Sequence, residues 1–97
     1  MDATETGLRA TLYHRGVPPH LRDGLVHYVL VGCPVGGFLT VVLENDLMES
    51  FGRADGVSRA GLHNLLMWLS WDAPGNCHGS PEKVAAWIEK GGLGGSE

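Results

Sequence analysis

Long apolar runs are missing from this sequence. The stretch Leu25 to Val31 is short and carries His27 and Tyr28, well under the roughly 20 residues that span a bilayer. No membrane partner is therefore expected. Positive charge is also scarce: 7 Lys and Arg stand against 11 Asp and Glu, a formal net charge of −4. A duplex-binding domain usually carries a basic face, so direct nucleic-acid contact is not expected. The acidic residues are too sparse to imitate the charge of DNA. Cysteine is rare, with only Cys33 and Cys77, which excludes a disulfide framework. The opening Met1-Asp2-Ala3-Thr4-Glu5-Thr6 is acidic and polar, unlike a secretory signal. Both cysteines are expected as reduced thiols in a cytoplasm. Whether they approach each other in space stays open.

Glycine, by contrast, is abundant, at 15 of 97 residues. It weakens helix interiors, so these glycines belong mainly at helix ends and loops. With 43% hydrophobic and 19% charged residues, the chain can build one core. Gly-x-Pro occurs at Gly16-Val17-Pro18, Gly32-Cys33-Pro34 and Gly79-Ser80-Pro81. Gly ends a helix readily and Pro suits the first turn of the next. The spacing predicts an all-α fold, a compact bundle of four helices, with residues 1–15 forming either a short fifth N-terminal helix or an arm. Residues 16–92 make the domain, and 93–97 are expected as a flexible tail.

The first helix is predicted over about 19–31, with Leu21, Leu25, Tyr28 and Val29 on one stripe and Gly32 as its stop. The second is predicted over about 35–50, where Leu39, Leu43 and Leu47 recur every four residues and Phe51 extends the series. The β-branched cluster Thr40-Val41-Val42 leaves a strand reading open there. The third covers about 57–71, capped by Asp55 or Ser58. The fourth has a clear start: Ser80 as N-cap, Pro81 in the first turn and Glu82 at the positive dipole end. Lys90 falls in its last turn, and Gly91-Gly92 end it.

Signals for chemistry are weak. His20 and His27 are about 10 Å apart along a helix, too far for one metal ion. Cys77-His78 lacks a second ligand pair. Cys77 with His78 or His63 has the residue types of a nucleophile and base, but no oxyanion-hole pattern accompanies it, and an idle thiol is the simpler reading. Gly36-Gly37 can present N–H groups to an anion or simply form a turn. No catalytic residue, metal or cofactor is expected, and the chain reads as a non-enzyme.

Two groups read as contact candidates. Glu44, Asp46, Glu49 and Asp55, with Arg53 among them, give residues 36–56 a charge of −4 + 1 = −3. They suit a basic partner. Asp46 falls between Leu39 and Val42 on a helical wheel, so it is expected to be partly buried against Arg22, Arg59 or His63, or to cap a neighbouring helix. The second group is Met67, Trp71 and Trp87 on helix rims. Such residues either complete a small core or form an exposed contact patch.

Three segments carry a resemblance: Gly-Val-Pro-Pro-His-Leu-Arg-Asp-Gly-Leu-Val-His-Tyr-Val (16–29), Gly-Gly-Phe-Leu-Thr-Val-Val-Leu-Glu-Asn-Asp-Leu-Met-Glu-Ser-Phe-Gly-Arg-Ala-Asp (36–55) and Gly-Ser-Pro-Glu-Lys-Val-Ala-Ala-Trp (79–87). Over about residues 14–92 the chain resembles a group of small phage and prophage proteins that has no catalytic residues to carry over. The resemblance implies an accessory protein that binds a host or phage protein, for example to inhibit a defence complex such as a CRISPR effector. A small nucleic-acid-associated regulator is the alternative, a minor enzyme using Cys77 a third, and self-association into a homo-oligomer is compatible with an apolar rim.

Overall fold

Leu8 and Leu12 lie one helical turn apart, and both are buried, at 5% and 0% exposure. That pair makes the N-terminal segment a docked helix and not an arm. It is α1, Glu5–Arg15, in a computed structural model that describes residues 5–94, without the side chains of Leu47 and Phe51. Residues 1–4 of the expected arm and 95–97 of the expected tail lie outside the described residues. The helices that follow are α2 (Pro19–Val31), α3 (Gly37–Leu43), α4 (Leu47–Arg53), α5 (Gly56–Ala60), α6 (Leu62–Trp71) and α7 (Pro81–Lys90). Short 3-10 turns occupy Gly75–Cys77 and Gly92–Gly94. No strand occurs among the described residues, so positions 38–43 are helical. None of these helices is long and apolar enough to cross a membrane.

The expected four-helix bundle is corrected to seven shorter α-helices among the described residues. The docked α1 adds one helix, and two breaks add the other two. The predicted helix over 35–50 stops at Leu43, and α4 begins at Leu47. Asn45 takes the left-handed conformation, φ 68°, which asparagine tolerates better than most side chains. The Asn45 N–H donates to Val42 O at 3.0 Å and the Asp46 N–H to Val41 O at 2.8 Å. Asp46 then caps α4 through Oδ1, which accepts from the Glu49 N–H at 3.1 Å. The carbonyls ending one helix and the N–H groups starting the next are thus satisfied locally, and the leucine periodicity runs straight across the gap.

The second break is Gly61, which closes α5 and opens α6. A Cβ at this position would collide with the Pro18 ring. Glycine lets the α1–α2 turn press against the α5–α6 corner, where Pro18 and Gly61 are both buried.

The core gathers Leu25, Val26 and Val29 of α2, Leu65 and Trp68 of α6, and Val84 and Trp87 of α7. Its large aromatics carry polar atoms that burial must satisfy. Tyr28 Oη donates to Cys77 O at 2.6 Å. Trp87 Nε1 donates to Tyr28 O at 2.8 Å. Trp68 Nε1 donates to Thr11 Oγ1 at 2.9 Å. No buried side-chain N or O lacks a partner among the described residues.

The chain then returns to α2. Gly32, φ 75°, ends α2, and Gly92, φ 72°, lies against it. A Cβ on Gly92 would fall 2.6 Å from the backbone nitrogens of both Val31 and Gly32. The segment expected as a loose tail from residue 93 is therefore anchored at its start, with Leu93 packed on the core.

Two stability predictions follow from this packing. Gly92→Ala combines left-handed strain with a backbone collision, and should cost about 2–4 kcal/mol in urea denaturation. Tyr28→Phe leaves the buried Cys77 carbonyl without its donor, and should cost about 1–3 kcal/mol in the same measurement. A loss under about 0.5 kcal/mol for Gly92→Ala, the range of ordinary surface changes, would mean that the Gly32–Gly92 approach contributes little.

Candidate interaction surface

The break between α3 and α4 puts its residues on the surface. Asn45, Asp46, Met48 and Glu49 are exposed, and Glu44 is half-buried. Met48 is 86% exposed, the highest value among the exposed large hydrophobic side chains described. Glu44, Asn45, Asp46, Met48 and Pro81 border a shallow depression. Asp46 corrects the expectation of partial burial: its carboxylate is a helix cap at the surface and forms no ion pair with Arg22, Arg59 or His63. Glu49 pairs with Arg53 at 3.0 Å, one turn along α4.

Asp55 lies beyond the far end of α4. It caps α5, with Oδ1 accepting from the Ser58 N–H at 2.7 Å. The Ser58 N–H and hydroxyl hold its carboxyl below the usual carboxylate range, and nearby His20 adds to this. The cap is thus intact at neutral pH. It weakens as acid protonates the group, because a depressed pKa means the anion is the form the fold stabilises.

A cleft of about 480 Å³ opens beside this cap. Its lining includes the apolar Leu21, Val35 and Phe38 and the polar His20, Arg53 and Asp55. His20 Nε2 lies 3.0 Å from Ser58 Oγ and 3.8 Å from Asp55 Oδ2. Serine, histidine and aspartate therefore meet, but not as a relay. A relay needs the serine and the carboxylate on opposite ring nitrogens, and here both face Nε2. The arrangement ties the first turn of α2 to the start of α5.

Met67, Trp71 and Trp87, open in the sequence between core and exposed patch, are divided by the structure and form no common patch. Trp87 is a core residue, 3% exposed, while Trp71 is 71% exposed at the end of α6 and Met67 is half-buried. Trp87 turns inward because its N–H has a buried acceptor at the end of α2. Trp71 instead adjoins Asp72, whose carboxylate accepts from Arg15 Nε at 2.6 Å. Tyr13 and Met48, both exposed, were not singled out by the sequence. Met48 lies off the Leu39–Leu43–Leu47 series, the one signal that pointed outward.

The cysteines are both free, Cys33 exposed and Cys77 buried. Burial pushes the Cys77 thiol up to about 12, so it stays protonated and is a poor nucleophile. Burial also lowers the His78 pKa, the Leu69 backbone partly opposing the shift. No group of three or more His, Cys, Asp or Glu that could hold a metal ion occurs among the described residues. A thiol reagent at pH 8 should label Cys33 within minutes and reach Cys77 only on unfolding. Equal labelling of both in the folded protein would contradict the placement of Cys77.

No protein-family model, curated protein or solved structure matches this chain.

Proposed function

We propose that this chain is a non-enzymatic binding protein of the phage and prophage accessory type, which sets its α3–α4 turn onto a basic, partly apolar surface of a host protein. The observation that carries the reading is Met48, 86% exposed between Glu44, Asp46 and Glu49. An apolar side chain held in water by a short capped helix gains by being covered, by about 1.5–3 kcal/mol for full burial. Methionine adapts to irregular partner surfaces. The surrounding carboxylates favour a partner of opposite charge and speed the encounter. A host defence complex such as a CRISPR effector fits the kind of partner that the phage resemblance implies.

The alternative, a nucleic-acid regulator, gains little from the distribution of cations. Arg9 pairs with Glu5 and Asp23, Arg15 with Asp72 and Arg53 with Glu49. Arg22 and Arg59 donate to the carbonyls of Val17 and Ala54. These contacts leave few cations to meet phosphates.

The test is affinity capture from host lysate with wild type, Met48→Asp and Trp71→Ala, each checked for an unchanged melting temperature. A partner retained by wild type and Trp71→Ala should fall at least about tenfold with Met48→Asp, since about 1.4 kcal/mol is one decade. Undiminished capture by Met48→Asp would remove the α3–α4 turn as the contact. No specific partner for wild type would remove the binding reading itself.

A further inference from the structure

We infer that the cavity between the Gly75–Cys77 turn and α7 is a binding site for a diphosphate group, independent of the contact turn proposed above. Asn76, Lys83, Ala86, Trp87 and Lys90 border a volume of about 320 Å³, at the small end of the range for ligand pockets. The chain has two lysines, and both stand here. Each formal charge in the lining is therefore positive, although the chain as a whole carries −4. An anion is repelled by the chain as a whole and attracted at this cavity. Two lysines do not make the basic stripe that a nucleic acid needs, but they suit a small anion.

Helical periodicity sets this sign. Lys83, Ala86, Trp87 and Lys90 follow at spacings of three, one and three, which is one stripe of α7. Glu82 and Glu89 each precede a lysine by one residue, so they lie about 100° further round the helix, and neither borders the cavity. The frame is fixed on both sides. Trp87 is held by its N–H to Tyr28 O at 2.8 Å, and Cys77, next to Asn76, by the Tyr28 hydroxyl at 2.6 Å. The Lys90 ammonium stands over the Trp87 ring, 4.8 Å from its centroid. Lys83 folds back toward Gly79, its Nζ 3.5 Å from where a Cβ on that glycine would be. Neither the Lys83 ammonium nor the Asn76 amide has a hydrogen bond or ion pair among the described residues. The charge of Lys83 is felt locally: after burial, the larger cause, it also lowers the pKa of His78. Residues seven apart start about 10 Å apart along a helix, so a single phosphate meets one ammonium, while a diphosphate has oxygens at both ends. Lysines act on phosphate as compact point charges, and the Asn76 amide adds a donor.

The experiment is an NMR titration of the full chain at pH 7.5 and low salt, without divalent cations, with sodium pyrophosphate as the probe. Saturable shifts are expected at the amides of residues 76–79, 83, 86 and 87 and at the Trp87 indole N–H, with a dissociation constant on the order of 1 mM. Inorganic phosphate should bind at least about fivefold more weakly, because it meets one ammonium. Lys83→Gln and Lys90→Gln, each checked for an unchanged melting temperature, should weaken pyrophosphate about fivefold or more. Lys83 is exposed, so its variant keeps the fold even where loss of the Lys90 contact with Trp87 does not. Asn76→Asp puts a carboxylate into the lining and should abolish binding. Arg9→Gln removes the same charge from α1 and should change affinity less than about twofold, since salt screens a remote charge. Methyl diphosphate separates the two sources of this chemistry: affinity equal to that of pyrophosphate assigns an esterified ligand and a tenfold loss a free one, and both support the site. Absence of saturable shifts, unchanged affinity in Lys83→Gln, or an equal loss in Arg9→Gln would overturn it. Equal affinity for phosphate and pyrophosphate would overturn the diphosphate assignment.

Discussion

The end of α2 is where this small fold is tied together. The Tyr28 carbonyl accepts from Trp87 Nε1 at 2.8 Å and from the Gly32 N–H at 2.9 Å. The Tyr28 ring carries a hydroxyl that donates to Cys77 O at 2.6 Å. One residue thus joins α2 to the Gly75–Cys77 turn and to α7, segments about 50 and 60 positions away in sequence. Each bond is buried, and each would cost more to leave unmade than it contributes when formed. Burial accordingly pushes the Tyr28 hydroxyl well above its usual range, so it stays a donor through any ordinary pH. A chain of this size has little apolar area to spare, and this cluster gives its second half a defined place against the first.

With that frame set, the remaining elements can be short. α3, α4 and α5 are too brief to be stable as isolated helices. They persist because each packs on a neighbour, α3 on α4 and α7 and α5 on α6, and because Asp46 and Asp55 cap the starts of α4 and α5. Leu39, Val42 and Leu43 bury α3. Among the described residues, α4 buries Ser50, whose hydroxyl donates to Asp46 O at 2.6 Å. Ala54, which follows α4, is also buried. A segment held this way exposes most of its side chains. The same breaks that shorten the helices therefore place Met48 on the surface and open the cleft beside Asp55.

How much of this was legible depended on whether the signal was local. Ser80, Pro81 and Gly91 mark α7 as their chemistry predicts, with Ser80 Oγ accepting from Lys83 N and Gly91 left-handed. Gly32 ends α2 in the same way. Asp55 was readable as a cap. The Asn45 break was not, because the leucine repeat continues through it and left-handed asparagine leaves no periodic mark. Gly61 was not, because its reason is the Pro18 ring, more than forty residues earlier in sequence. Trp71 and Trp87 look alike in the sequence, and only the packing of the folded chain sorts Trp71 outside and Trp87 into the core, where the Tyr28 carbonyl accepts its N–H. Asp46 was drawn inward by a helical wheel drawn through a helix that is not continuous.

The charge distribution links these placements to binding. The pairs Arg9–Glu5, Arg9–Asp23 and Arg53–Glu49 are substantially exposed, and such pairs contribute little to stability. Their larger effect is on where net charge remains. Arg9 is shared between Glu5 and Asp23 and Arg53 meets Glu49, while Glu44, Asp46, Glu82 and Glu89 have no ion pair among the described residues. Two of these carboxylates, Glu44 and Asp46, stand at the α3–α4 turn beside the exposed Met48. Salt screens this field over about 8 Å under physiological conditions, so it acts on a partner only near contact. Under the proposed binding function it would orient the approach, while covering Met48 would supply a part of the attraction that screening does not remove.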